Sequence, residues 1–186
     1  MTLLAALCVH VLLVPAFARV GERAGACRRR YGEPVVEREG ERVVTRTYRK
    51  GAFLVDVYFV RRRWVWVYPT ERAAGIAFRK PGRKENEPLS ELEIRTFLRA
   101  NGRKQPWAQV NLHFEAARQS SASERDRLVE QSRRYLMWRQ QDGTVGVYDG
   151  DARELVIRTP ELARLTEEEK AVHTPDPKPD KDLEGF

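Results

Sequence analysis

The chain has 186 residues, 41% of them hydrophobic and 33% charged, enough for one ordinary domain or for two small halves sharing a core. That composition excludes a collagen, a coiled-coil rod and a multi-span membrane protein. Its 34 Lys and Arg, 27 of them arginine, outweigh 27 Asp and Glu for a formal charge of +7, so the fold carries a basic surface.

The long apolar run, residues 2–18, has no charged residue and ends Pro15-Ala16-Phe17-Ala18, with small residues at 16 and 18. This fits the A-x-A cleavage pattern of a secretory signal peptide over residues 1–18. At about 17 residues the run is short for a membrane span of ~20, and Pro15 would break its end. A lipoprotein needs a small residue before the acylated cysteine, whereas Cys8 follows Leu7 inside the apolar core. Cleavage after Ala18 predicts an exported protein, periplasmic or extracellular, whose mature chain starts at Arg19 and has no transmembrane span. It keeps a single cysteine, Cys27, and therefore no intrachain disulfide. An exported free thiol can pair with another chain, but in this short amphipathic segment Cys27 reads as a small buried apolar residue.

Residues 21–31 predict a short helix stopped by Gly32 and Pro34. Segments 35–36, 42–49, 52–60 and 64–68 are rich in β-branched and aromatic residues and predict an antiparallel meander, turned at Lys50-Gly51 and at Arg61-Arg62-Arg63. A further strand is expected over 75–79. Residues 81–88 contain no apolar side chain and read as an exposed connection. Ser90 with Glu93 three positions on is a capping box; it opens a helix with Leu92, Ile94, Phe97 and Leu98 as its apolar face and Asn101-Gly102 at its end.

Residues 107–114 alternate Trp107, Gln109, Asn111 and His113 against Ala108, Val110, Leu112 and Phe114, the pattern of a half-buried strand. Residues 123–134 form a polar helix or a mobile excursion. Asp142-Gly143 and Asp149-Gly150 separate the β-prone runs 135–138, 145–148 and 155–157, a second meander. A last helix is expected over 160–172. The tail 173–186, broken by Pro175, Pro177 and Pro179, is expected to be disordered. From Pro160 onward eight acidic residues face four basic ones, leaving the body from Arg19 to Thr159 at about +11. An acidic tail on such a body can fold back as a weak competitor for anionic ligands.

The fold class that follows is α+β: antiparallel β-meander sheets packed with short helices, in two helix-then-sheet halves, residues 19–80 and 90–172, joined by 81–89.

The stretch Cys27-Arg28-Arg29-Arg30-Tyr31-Gly32-Glu33-Pro34, followed by Tyr48, Gly51 and the aromatic run 53–59, resembles small uncharacterised exported bacterial proteins with a C-x-x-R-Y-G-x-P segment. Leu89-Ser90-Glu91, Glu93-Ile94, Ala100-Asn101-Gly102, Trp107, Trp138, Asp142-Gly143, Tyr148 and Leu155 are similar to the rest of that pattern. A helix ending in Gly-x-Pro before an antiparallel sheet is also similar to the fold of β-lactamase-inhibitor proteins and of the small lipoproteins of outer-membrane barrel assembly. That second likeness concerns fold alone. The resemblance implies no catalytic residues, and membrane anchoring does not carry over because no acylated cysteine opens the mature chain.

The residues themselves point away from catalysis. His113, His173 and Cys27 are the strong nitrogen and sulfur ligands of the mature chain and have no zinc spacing, so neither a metal nor a cofactor is expected. His113 and Glu115, on one face of the expected strand, read as a solvated polar face. No G-x-S-x-G elbow or glycine-rich phosphate loop is present. Asp149 and Asp151 beside Gly150 read as turn formers before they read as a glycosidase pair.

Binding is the expected class. Arg61, Arg62 and Arg63 precede Trp64, Trp66 and Tyr68, which alternation places on one face. An open face would be a stacking and anion-binding platform; a covered one would belong to the core. The expected partner is a protein or an anionic envelope component, and export argues against nucleic acid. The alternative is a carbohydrate or polyanion bound by this aromatic and arginine hairpin.

Overall fold

The computed structural model describes residues 19–64, 67–102, 105–119 and 121–173, without the side chains of residues 62–69, 133 and 170–173. The apolar run 2–18 and the tail beyond 173 lie outside the described residues. In chain order the elements are α1 (Ala24–Tyr31), β1 (Val36–Glu39), β2 (Val43–Lys50), β3 (Phe53–Trp64), β4 (Val67–Pro81), β5 (Asn86–Glu87), α2 (Glu91–Ala100), β6 (Ala108–Val110), α3 (Leu112–Ala117), α4 (Ala122–Arg134), β7 (Tyr135–Arg139), β8 (Val145–Asp149), β9 (Glu154–Arg158) and α5 (Pro160–His173).

The period-two alternation of Val55, Val57 and Phe59 against Leu54, Asp56, Tyr58 and Val60 gives β3 two distinct faces. Both are extended sideways by antiparallel pairing into one nine-stranded sheet, ordered β1-β2-β3-β4-β9-β8-β7-β6, with β5 on the end of β4. The fold is α+β, as the sequence predicts. The two meanders share this sheet through β4 and β9, where Ile76 pairs with Ile157 and Phe78 with Leu155.

On the first face Val44, Tyr48, Val55, Val57, Phe59, Ile76, Phe78, Leu155 and Ile157 form the main core with Cys27 and Tyr31 of α1 and Ile94, Phe97 and Leu98 of α2. Phe97 stacks on Phe78 with ring centroids 4.1 Å apart and meets Phe53 edge-on at 5.3 Å. Such aromatic pairs add about 0.5–1.5 kcal/mol each beyond their buried area, so they fix α2 on the sheet. The capping box at Ser90 forms as expected, the hydroxyl accepting from Glu93 N while the Glu93 carboxylate accepts from Ser90 N. At the other end the buried Asn101 donates to Phe97 O and accepts from Val20 N, tying the start of the described chain to the end of α2.

On the second face α5 covers Val60 and Ala74 with Leu162 and Leu165. Gly75 is open for this contact, since a Cβ there would lie 2.3 Å from Leu162 Cδ2. Further along, α3 and α4 pack Leu112, Ala116 and Leu128 against Val110 and Met137.

Three sequence expectations change. Arg61-Arg62-Arg63 is not a turn: β3 continues through it, Arg61 pairs with Glu71 and Arg62 with Thr70, and the register ends at Trp64 with Val67. Cross-strand Glu71 pairs with Arg61 and holds that arginine in the ladder. The strand expected over 64–68 is split: Trp64 ends β3, while residues 67–68 and the strand expected over 75–79 belong to the 15-residue β4. Finally, the strand expected over 107–114 shrinks to Ala108–Val110, because Asn111 caps α3 by accepting from Phe114 N at 3.1 Å. Leu112 and Ala116, four apart, then share a helix face.

Candidate functional site

In place of the hairpin expected to turn at Arg61-Arg62-Arg63, β3 and β4 form a two-stranded arm that carries these arginines within its ladder. β2 pairs with β3 only as far as Val60, and β9 pairs with β4 only from Gly75 onward, so the Arg61–Glu71 ladder runs beyond both neighbours. Arg61 is held at 3.2 Å by both Glu39 and Glu71, and Glu71 also binds Arg46 at 2.5 Å. Arg61 is thus a structural cation within an ion network. The backbones of Arg62, Arg63, Trp64 and Tyr68 lie in the arm. Their side chains, and the whole of Trp66, lie outside the described residues.

The structure assembles a different aromatic and arginine group that the sequence does not reveal. Leu98, Arg95 and Arg99 of α2, Gly102, Gln105, Pro106 and Trp107 of the following loop, and Trp138 of β7 line a groove of about 600 Å³. Trp107 and Trp138 are half-buried and pack against the main core. The groove is held by hydrogen bonds inside its own wall: Trp107 Nε1 donates to Leu98 O at 2.6 Å. Gln140, nearly fully buried, donates to both Gly102 O and Gln105 O. Gly146 sits opposite Trp138 on β8 and leaves the space that Leu98 and the Trp107 ring occupy. One further turn toward the start of α2, Leu92 is 75% exposed, a large apolar side chain left at the surface beside Arg95.

The polar constellations elsewhere are structurally occupied. Asp56, buried on the second face, accepts from Thr47 Oγ1 at 2.5 Å and pairs with Arg79 at 3.2 Å. Glu154 lies opposite Arg79 in the ladder. Burial raises its pKa above the ordinary carboxylate range; Arg79 opposes this, and Asp56 and Asp149 add to it. Asp149 itself accepts from Asp151 N and Ala152 N, the turn role the sequence assigns it.

His113, on helix α3 rather than on a strand, brings Nε2 to 2.8 Å from Ser132 Oγ on α4. That spacing suits a nucleophile and its base. However, Ser132 already donates its proton to Val129 O at 2.6 Å, which leaves the imidazole as donor and makes the pair a tie between α3 and α4. Cys27 is fully buried, and burial first, with Glu22 second, pushes its thiol up to about 12. A thiol so placed is unreactive at neutral pH. Among the described residues no three His, Cys, Asp or Glu side chains are grouped to hold a metal ion, and no helix is long and apolar enough to cross a membrane.

No family model, curated protein or solved structure matches the chain. The groove must therefore be interpreted from its own chemistry.

Proposed function

We propose that this protein is a non-enzymatic, exported interaction module of the bacterial envelope, and that it binds a protein or other envelope component through the groove between α2 and β7. The observation that carries this reading is the pairing of Trp107 and Trp138 with Arg95 and Arg99 around one concave surface. Tryptophan and arginine are the residue types that dominate binding hot spots. The wall beneath them is fixed by internal hydrogen bonds, so little ordering cost remains to be met on binding. The apolar run 2–18 supports export.

A photo-crosslinking amino acid at Leu92, compared with one at Val36 on the edge of β1, tests this in envelope preparations. A discrete adduct at position 92 that is lost in Trp138→Ala is expected. Equal labelling at both positions, or none at 92, would refute the groove as the binding surface.

A second reading, a carbohydrate or polyanion held by the hairpin, is favoured by one observation: the arm carrying Arg62, Arg63 and Trp64 extends beyond its neighbouring strands. Binding of that kind weakens steeply with added salt. Groove binding dominated by tryptophan contact does not.

A further inference from the structure

We propose that the groove receives an extended peptide segment of a partner protein in which a carboxylate stands beside a large apolar side chain. This rests on the groove being the binding surface and adds the chemistry of its ligand.

The floor offers ring faces and few free polar groups. Trp107 Nε1 is spent on Leu98 O, and the Gln140 amide is spent on two loop carbonyls. A sugar would find its hydroxyl partners mainly at the Arg95 and Arg99 guanidiniums, which stand together on α2 rather than spread around a ring, and hydroxyls left unpaired are costly. An apolar side chain loses nothing there and gains the tryptophan faces.

Among the described residues the lining cations, Arg95 and Arg99, stand on the α2 wall. Arg99 has no acidic partner among the described residues, and Arg95 is tied only to Glu91 one turn away in an exposed pair, 71% and 77% accessible. An exposed i,i+4 pair is worth about 0.3–0.5 kcal/mol, so Arg95 is easily redirected to an incoming carboxylate. Along α2, Leu92 and Arg99 are separated by about 10 Å at 1.5 Å per residue. That is the span of about three residues of extended chain. The matching ligand therefore has an apolar anchor between the tryptophans, an acid next to it facing Arg99, and a second apolar residue about three positions along against Leu92.

The probe is the peptide acetyl-Ser-Asp-Phe-Ser-Ser-Leu-amide, titrated against the mature protein with tryptophan emission as readout. Three comparisons accompany it: the Asp-to-Asn peptide, the Phe-to-Ser peptide and oligogalacturonate. Saturable binding is expected, abolished by the Phe-to-Ser change. It should weaken about tenfold with the Asn peptide or with Arg99→Gln, and the two changes together should cost no more than either alone. Circular dichroism of Arg99→Gln confirms that the variant is folded. Equal affinity for the Asp and Asn peptides would overturn the carboxylate assignment, and binding of oligogalacturonate in place of the peptide would overturn the peptide assignment. In either case the crosslink at Leu92 persists, whereas its loss marks failure of the groove itself.

Discussion

Gly146 and Leu98 are in contact only because Gly146 has no side chain: a Cβ on Gly146 would stand 2.8 Å from Leu98 Cδ2 and 3.6 Å from the Trp107 ring. The floor of the groove is therefore set by a glycine on β8, the strand beside the one that carries Trp138. Gly146→Ala forces the Leu98 side chain aside and places a methyl group in contact with the Trp107 ring; it is expected to cost about 1–3 kcal/mol, as overpacking of a closed core does. Thermal denaturation followed by tryptophan emission checks both parts, a lower midpoint and an altered native spectrum. An unchanged spectrum would show that the floor does not depend on this contact.

Ser90→Ala removes the hydroxyl half of the capping box at the start of the helix that presents Arg95 and Arg99. The expected loss is about 1 kcal/mol, or roughly 2–4 °C in a domain of this size. Ser90→Asp should retain most of the stability, because its carboxylate can accept the same backbone bond. Equal losses in the two variants would refute the capping explanation.

Alkaline pH should unfold the protein earlier than its arginine content suggests. Burial pushes the Cys27 thiol from 9.0, and the Tyr48 and Tyr58 hydroxyls from 10.0, up to about 12. Between those values the unfolded chain has released protons that the native state retains, so stability falls as pH rises from about 9 to about 12. Denaturant midpoints measured between pH 7 and pH 11 should decline across this window. Cys27→Ser, though destabilised overall, should show a shallower decline because one of the buried acids is gone. Native Cys27 should also resist iodoacetamide at pH 8 until denaturant is added.

Glu154 has the same sign with a different window. Its raised pKa means that the native state holds a proton the unfolded chain has lost above the ordinary 4.5, so ionised Glu154 is a net cost at neutral pH. Glu154→Gln is expected to raise the melting temperature at pH 7 and to lose that advantage at pH 4. A lower melting temperature at pH 7 would instead mark the Arg79 attraction as dominant over burial.

Where structure is written in local pattern, the sequence and the fold agree. The Ser90 to Glu93 spacing specifies its own hydrogen bonds, and both Asp-Gly pairs stand at the reversals between β7, β8 and β9. Local pattern misleads where a distant partner changes the meaning of a residue. Arg61 looks like a solvated turn until Glu39 and Glu71 pair with it. Leu112 and Phe114 alternate like strand residues until Asn111 caps a helix around them. The groove has no local signature at all. Trp107 and Trp138 are far apart in sequence, and β6 pairs with β7 to set Gln109 opposite Trp138 while α2 supplies the arginines. The one available hint was compositional: two tryptophans outside the aromatic strand, each in a segment with arginines close by.

The central claim is that Trp107 and Trp138 form an accessible surface that a partner covers. A Trp64→Phe, Trp66→Phe double variant leaves these two as the protein's sole tryptophans, and acrylamide quenching of its emission, with and without a solubilised envelope fraction, reads them directly. The account predicts substantial quenching of the free protein and shielding when the fraction is added, with the shielding lost in Arg99→Glu. Tryptophans already protected in the free protein, or quenching unchanged by an envelope fraction that the protein demonstrably binds, would contradict it.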